Sequence, residues 1–235
     1  MPNYYPIMLN VRGRLAIVVG GDRIAAEKAV ALAKSGARVT VLSPEFCDDL
    51  LILAEQQQVA LQRKAYEYGD LAGAFVVIAA TNDLQLVQAI WDETQERGQL
   101  VNIVDVPQYC SFIIPSILRR DQLTIAVSTE GASPSLAKRI RHSLEDIFPF
   151  AYGTYVRLAA VARTHLRKNN VPYDRRDDFF GEFCSSNVLA LLVEGDTAQA
   201  AVLTETLLRK YGIDVSASEL MTKLEEEKVH VSHHA

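Results

Sequence analysis

An α/β fold, with a parallel sheet at its N-terminal end and a helical region behind it, is predicted on three observations. Short apolar runs suited to buried strands alternate with segments of helical spacing over roughly the first hundred residues. One of those runs, Leu15-Ala16-Ile17-Val18-Val19, passes straight through Gly20-Gly21 into a helical repeat of Ile24, Ala25, Lys28, Ala29, Leu32 and Ala33. Beyond Pro149 the sequence reads as a series of helical segments. A strand turning sharply into a helix leaves the first N–H groups of that helix unpaired at the positive end of its dipole, which suits a pyrophosphate. The N-terminal part is therefore read as a Rossmann-like domain holding a dinucleotide.

The glycine turn matches the G-x-G-x-x-G/A pattern only in part. Gly20 and Ala25 occupy its first and third places, whereas Asp22 stands at the second, where the backbone should approach the pyrophosphate. A carboxylate there repels a diphosphate unless it points away, and Gly21 restores part of the lost backbone freedom. Asp22 is equally suited to capping the helix, and a glycine turn without cofactor is the bland alternative.

Taken in order, the lead to residue 14 is short and turn-rich, with Ile7-Met8-Leu9 as a small edge strand. After the first helix ends at Gly36, Arg38–Leu42 is a second strand and closes a β-α-β unit. Its tip, Ser43-Pro44-Glu45, should meet the adenosine ribose. Glu45 is the acid available to the ribose hydroxyls, and the tip carries no arginine, which favours NAD over NADP; Glu45 also reads as a first-turn acid of a helix from Phe46 to Gln57. Val59–Arg63 is a third strand and Phe75–Ala80 a fourth, apolar throughout as a strand covered on both faces must be. Thr81-Asn82-Asp83 caps a helix reaching Arg97, and Val101–Val104 is a fifth strand ending at Asp105. Because ligands lie at strand carboxyl ends in open α/β sheets, Ala80, Thr81, Asn82 and Asp105 are candidate walls of one crevice. Helix capping and turn formation explain the same residues without function.

From Ser111 the pattern changes. Phe112–Pro115 and Leu123–Ser128 read as strands joined through Arg119-Arg120-Asp121-Gln122, and Ser133 before Pro134 starts a helix running to Phe148. That helix carries Lys138, Arg139, Arg141 and His142, either a solvated face or a surface for an acidic ligand. Tyr152–Lys168, Phe179–Glu194, Thr197–Tyr211 and Ser218–Lys228 are helical, with a break at Asn169-Asn170-Val171-Pro172. His230, His233 and His234 in the tail are read as a frayed terminus over an adventitious metal site.

Composition narrows the function classes. A net charge of −5 over 235 residues, with dispersed cations, argues against a nucleic-acid binder. The three cysteines, Cys47, Cys110 and Cys184, are far apart without C-x-x-C spacing, so neither a disulfide framework nor a metal site is expected and a reducing cytoplasm fits. No apolar run approaches the ~20 residues needed to span a bilayer, and no membrane partner is expected.

Five separated motifs occur together: Val18–Lys28, Ala79–Asp83, Val101–Asp105, Ser111–Ser116 and Val127–Pro134. In this order they resemble the precorrin-2 dehydrogenase family, the N-terminal part of siroheme synthases, over residues from about Pro6 to Phe148. The resemblance implies NAD-dependent dehydrogenation of precorrin-2 to sirohydrochlorin in sirohaem biosynthesis, in a homodimer. It divides the chain into a Rossmann NAD-binding domain over 1–110, a dimerisation and substrate-binding segment over 111–149, and a C-terminal helical region over 150–235. It places Arg23 and Ile24 against the cofactor, Pro44 and Glu45 at the second strand's tip, Asp105 in the substrate crevice, and Ser128 and Thr129 in a turn bordering the tetrapyrrole. Asp105 is the candidate catalytic base. Arg119, Arg120, Lys138, Arg139 and Arg141 are candidate partners for the substrate's carboxylates. Some family members also insert iron, so a ferrochelatase using Asp105 and His142 is an alternative. A degenerate Rossmann regulatory module is another, because many members have glycine where this chain has Asp22.

Overall fold

The computed structural model describes residues 4–232, with side chains as far as Glu226, so the tail histidines lie outside the described side chains. The chain divides into two compact units, one ending at Ile114 and the other beginning at Pro115.

The first unit is a five-stranded sheet in the order β3-β2-β1-β4-β5, parallel throughout. Its strands are β1 (Leu15–Val19), β2 (Arg38–Ser43), β3 (Ala60–Arg63), β4 (Val76–Ala79) and β5 (Leu100–Ile103), and its helices α1 (Arg23–Lys34), α2 (Asp48–Glu55) and α3 (Leu84–Glu96). Alternate side chains of the central strands enter two separate cores. Ala16, Val18, Val39, Val41, Val76 and Ile78 pack with α1 and α2, while Ile17, Val19, Leu42, Val77, Ala79, Val101 and Ile103 pack with α3. Burial on both faces is why these strands are uniformly apolar. The order of strands reverses at β1, which lies between β2 and β4, so the crevice of this sheet opens at the carboxyl end of β1.

Two sequence expectations change in this unit. Ile7-Met8-Leu9 forms no strand, and all three side chains are exposed. The second helix starts at Asp48, not Phe46, and its first-turn acids are Asp48 and Asp49.

A polar clasp at the amino-terminal edge of the sheet had no sequence signal. Glu93 of α3 is fully buried, and its carboxylate accepts from Tyr66 Oη (2.7 Å), Gly69 N (2.9 Å), Leu71 N (3.3 Å) and Arg97 Nε (2.9 Å). Gln99 adds two bonds from Nε2 to the carbonyls of Leu71 and Ala74. Burial and the Glu93 carboxylate push the Tyr66 phenol well above its ordinary pKa. The loop entering β4 is therefore held by the Glu93 and Gln99 side chains. Glu93→Ala strands several buried donors and is expected to cost about 3 kcal/mol of stability, read as a lower urea midpoint. An unchanged midpoint would mean that the loop re-satisfies its donors from water.

The second unit opens with an antiparallel hairpin of β6 (Ser116–Arg120) and β7 (Leu123–Val127). Its two-residue turn is Asp121-Gln122, with Asp121 at φ +58°. The first strand thus lies beyond the expected Phe112–Pro115. Ser111 and Phe112 are instead bonded to β5, and Pro115, which has no N–H, separates them from the hairpin. Helix α4 (Pro134–Ile147) begins as its sequence predicts, with the Ser133 hydroxyl accepting from Leu136 N at 3.3 Å and proline in the first turn.

Five helices complete the unit: α5 (Ala151–Lys168), α6 (Tyr173–Ser185), α7 (Val188–Val193), α8 (Thr197–Lys210) and α9 (Ala217–Ser232). They enclose a core of Leu158, Leu166, Phe179, Phe183, Leu208 and Leu220. The single helix expected over Phe179–Glu194 is two. Ser186 Oγ donates to the Phe183 carbonyl (2.7 Å) and accepts from Val188 N (3.3 Å), so its side chain competes with the helix ladder at the break.

His165, in the last turn of α5, is pushed below its ordinary pKa by burial, with Lys168 and Lys223 adding to the effect and Glu219 opposing it. The unfolded chain therefore binds a proton more readily at this site. The stabilising contribution is complete above the ordinary histidine pKa of about 6.5 and is lost as pH falls from there through the lower folded value. His165→Gln is expected to flatten the pH dependence of the urea midpoint in this acid window. An identical slope in both proteins would remove His165 from the account.

Candidate active site

The turn after β1 is wedged between the tips of its two neighbours. A Cβ on Gly20, at φ +134°, would sit 2.4 Å from the Ala80 carbonyl oxygen at the end of β4. One on Gly21 would sit 1.8 Å from the Glu45 carbonyl oxygen and 2.6 Å from Ser43 Oγ, beyond β2. Backbone bonds tie the same points together: Gly20 N donates to Leu42 O (3.0 Å), Ala80 N to Val19 O (2.8 Å) and Cys47 N to Gly21 O (2.8 Å). Main chain meets main chain here, and only glycine leaves room.

Asp22 is the N-cap of α1. Its φ of −87° and ψ of −177° are ordinary extended backbone, and its carboxylate accepts from Ala25 N at 2.9 Å. The side chain is thus turned back on the first helical turn, and the cap occupies one of the free donors. The N–H groups of Arg23 and Ile24, which helix geometry cannot satisfy, have no acceptor among the described residues. Ala25, Ala26 and Ala29 are buried, and their small size lets α1 lie close on the sheet.

Pro44 and Glu45 are exposed in the turn beyond β2. With α2 starting at Asp48, Glu45 belongs to the turn and is not a helix-stabilising first-turn acid. The tip does have an arginine, delivered by strand pairing: Ser43 of β2 lies opposite Arg63 of β3, whose Nη1 donates to the Pro44 carbonyl at 3.3 Å. Beyond β4, Asp83 caps α3 by accepting from Gln85 N and Leu86 N, and Thr81 Oγ1 accepts from Asp83 N (3.2 Å).

Asp105 follows β5 with its side chain exposed and its backbone in the left-handed region at φ +61°. Aspartate tolerates that conformation better than most residues. The loop it begins is closed at its base by three side chains that no sequence signal singled out. Cys110 Sγ lies 3.2 Å from both the N and the O of Ile103. Ser111 Oγ bonds both the N (2.8 Å) and the O (3.2 Å) of Val101, and Asn102 Nδ2 donates to Phe112 O (2.9 Å). Thiol and hydroxyl stand where a paired strand would supply backbone groups. Burial pushes the Cys110 thiol above its ordinary pKa, so it stays a protonated donor. Gly20–Ile24, Pro44, Glu45, Thr81 and Asp105 are thus gathered at the carboxyl end of one sheet.

The remaining candidates belong to the second unit. Ser128 Oγ accepts from Glu130 N (3.0 Å) and Thr129 Oγ1 from Ser133 N (3.0 Å), shaping the turn from β7 into α4. Arg119 on β6 and Lys138 and Arg139 on α4 are exposed. Arg120 is committed to the fold, donating to the carbonyls of Phe148, Arg119 and Glu145 and stacking 4.4 Å from the Phe150 ring. Arg141 pairs with Glu145 and lies against His142.

Comparison with known proteins gives two consecutive family matches. A family described as NAD(P)-binding covers residues 7–116, and the central part of sirohaem biosynthesis proteins covers residues 120–147. The chain belongs to the siroheme synthase N-terminal family. Within this family it is 33% identical over 205 residues to the siroheme synthase of Nitrosococcus oceani, covering 87% of this chain and 44% of that protein. The siroheme synthase of Pseudomonas aeruginosa (strain LESB58) is 36% identical over 203 residues, covering 86% of this chain and 44% of the relative. The chain thus spans less than half the length of these siroheme synthases. Among solved structures, "SirC, precorrin-2 dehydrogenase" superposes with a TM-score of 0.72 at 28% identity, over 89% of this chain and 99% of that one.

Proposed function

We propose that this chain is an NAD-dependent precorrin-2 dehydrogenase that forms sirohydrochlorin. The observation that carries the reading is the joining, at the carboxyl end of one sheet, of a glycine turn with unpaired helix N–H groups and an exposed aspartate on a clasped loop. The residues fit a dinucleotide. Gly20 and Gly21 bring main chain to the crevice without side-chain bulk, the Asp22 carboxylate is held by Ala25 N, and Arg23 and Ile24 offer donors to a diphosphate. Glu45 suits the ribose hydroxyls and Thr81 lines the wall beside β1.

When bound, NAD supplies the hydride acceptor. The protein's own share is to hold the macrocycle and take up the proton that the macrocycle loses from a second position as the hydride leaves. Asp105 is the acceptor for that proton, on a loop whose geometry the Cys110, Ser111 and Asn102 bonds maintain. Arg119 and Lys138 provide charge for the peripheral carboxylates, and Ser128 and Thr129 provide hydroxyls. A homodimer agrees with Leu136, Ile140 and Ile147 being exposed along α4. No described helix is long and apolar enough to cross a membrane, and three unpaired, well-separated cysteines suit the cytoplasm.

The test is an anaerobic assay of the full chain with precorrin-2, with and without NAD. NADH and sirohydrochlorin should appear together only when both are present. Precorrin-2 left unconsumed with NAD in excess would end this reading.

A further inference from the structure

The ribose end of a dinucleotide site decides whether a 2′-hydroxyl or a 2′-phosphate is accepted, and an acid favours the first while an arginine accommodates the second. Along the sequence, the tip of β2 holds only Ser43-Pro44-Glu45. In the fold, β3 runs beside β2 and brings Arg63 to the same tip.

The guanidinium is held from two sides. Nη1 donates to Pro44 O at 3.3 Å, and Cζ lies 5.1 Å from the centroid of the Phe46 ring. Pro44 and Phe46 bracket Glu45, so the cation is anchored to the very turn that carries the acid. Arg63 is exposed and has no ion-pair partner among the described residues, and that one hydrogen bond engages a single N–H of the five it carries. Its neighbour differs: Lys64 Nζ is taken by Glu67 at 2.8 Å and Asp70 at 3.1 Å. A permanently charged planar fork, oriented by stacking yet not neutralised, has the geometry that binds a phosphate through two N–H groups.

We infer that Arg63 admits a 2′-phosphate on the adenosine ribose, so that this chain binds NADP as well as NAD, with Glu45 as the opposing determinant. Glu45 accepts from the 2′-hydroxyl of NAD and repels the phosphate of NADP; Arg63 offsets that repulsion. The inference rests on the glycine turn holding a nicotinamide dinucleotide.

The experiment is titration calorimetry of the full chain with NAD and with NADP, for the unaltered protein, Arg63→Gln, Arg63→Lys and Glu45→Gln. The unaltered protein should bind both. Arg63→Gln should weaken NADP about tenfold or more while leaving NAD within about threefold, as expected for loss of a charged hydrogen bond. Arg63→Lys, which keeps the charge but not the fork, should recover only part of the NADP affinity, and Glu45→Gln should move the NADP-to-NAD ratio toward NADP. Equal weakening of both nucleotides by Arg63→Gln would reduce Arg63 to a prop for the turn and overturn the inference. Binding of NAD without NADP would overturn it while leaving the proposed reaction standing; binding of neither would remove both.

Discussion

Gly21→Ala is expected to abolish measurable NAD binding and to lower stability by roughly 3 kcal/mol, the upper range for forcing extra volume into a packed site. The added methyl would lie 1.8 Å from the Glu45 carbonyl oxygen, and that atom is main chain, with no rotamer to relieve the clash. Cys47 N is bonded to the Gly21 carbonyl at 2.8 Å, so the two segments cannot separate without losing that bond as well. Relief must come from moving the turn after β2 away from the start of α1, which pulls apart the ribose and diphosphate ends of the site together. Calorimetric titration with NAD, alongside a thermal melt, measures both effects. Binding within a few-fold of the unaltered protein would show that the turn yields without disturbing the cofactor site.

Asp105→Asn should lower turnover of precorrin-2 by about 10² to 10⁴, the range that a positioned acid–base group contributes, with NAD affinity unchanged. The substitution is informative because it preserves so much else. Asparagine accepts the left-handed backbone that Asp105 adopts at φ +61°, and the loop is closed by Cys110, Ser111 and Asn102, not by the Asp105 side chain. What disappears is the capacity to take a proton. Single-turnover NADH formation at saturating NAD measures the loss, and full activity in the variant would take Asp105 out of the mechanism.

The parts of the molecule legible in the sequence share one property: the residues that determine them are neighbours in the chain. The passage from Val19 through the glycines to Ile24, the uniformly apolar β4, and Ser133 before Pro134 each carry their own explanation within one or two turns of backbone. Misread elements are those in which a side chain competes with the regular ladder or a distant partner intervenes. Phe112 looks like strand, but its carbonyl is bound by Asn102, so pairing starts after Pro115. The helix expected through Ser186 is cut by that residue's own hydroxyl. Glu93 carries no signal along the chain, and only the loop folded over it makes it a buried acceptor.

From the sequence by itself came the α/β class, the helix start that suits a diphosphate, and Asp105 at a strand end, because strand, turn and helix propensities act over a few residues. Only the tertiary structure decided that Gly21 is obligatory and that Arg63 stands beside Glu45. Each of these depends on parallel pairing, which sets the tips of β1, β2, β3 and β4 side by side and so makes contacts between residues that are distant along the chain.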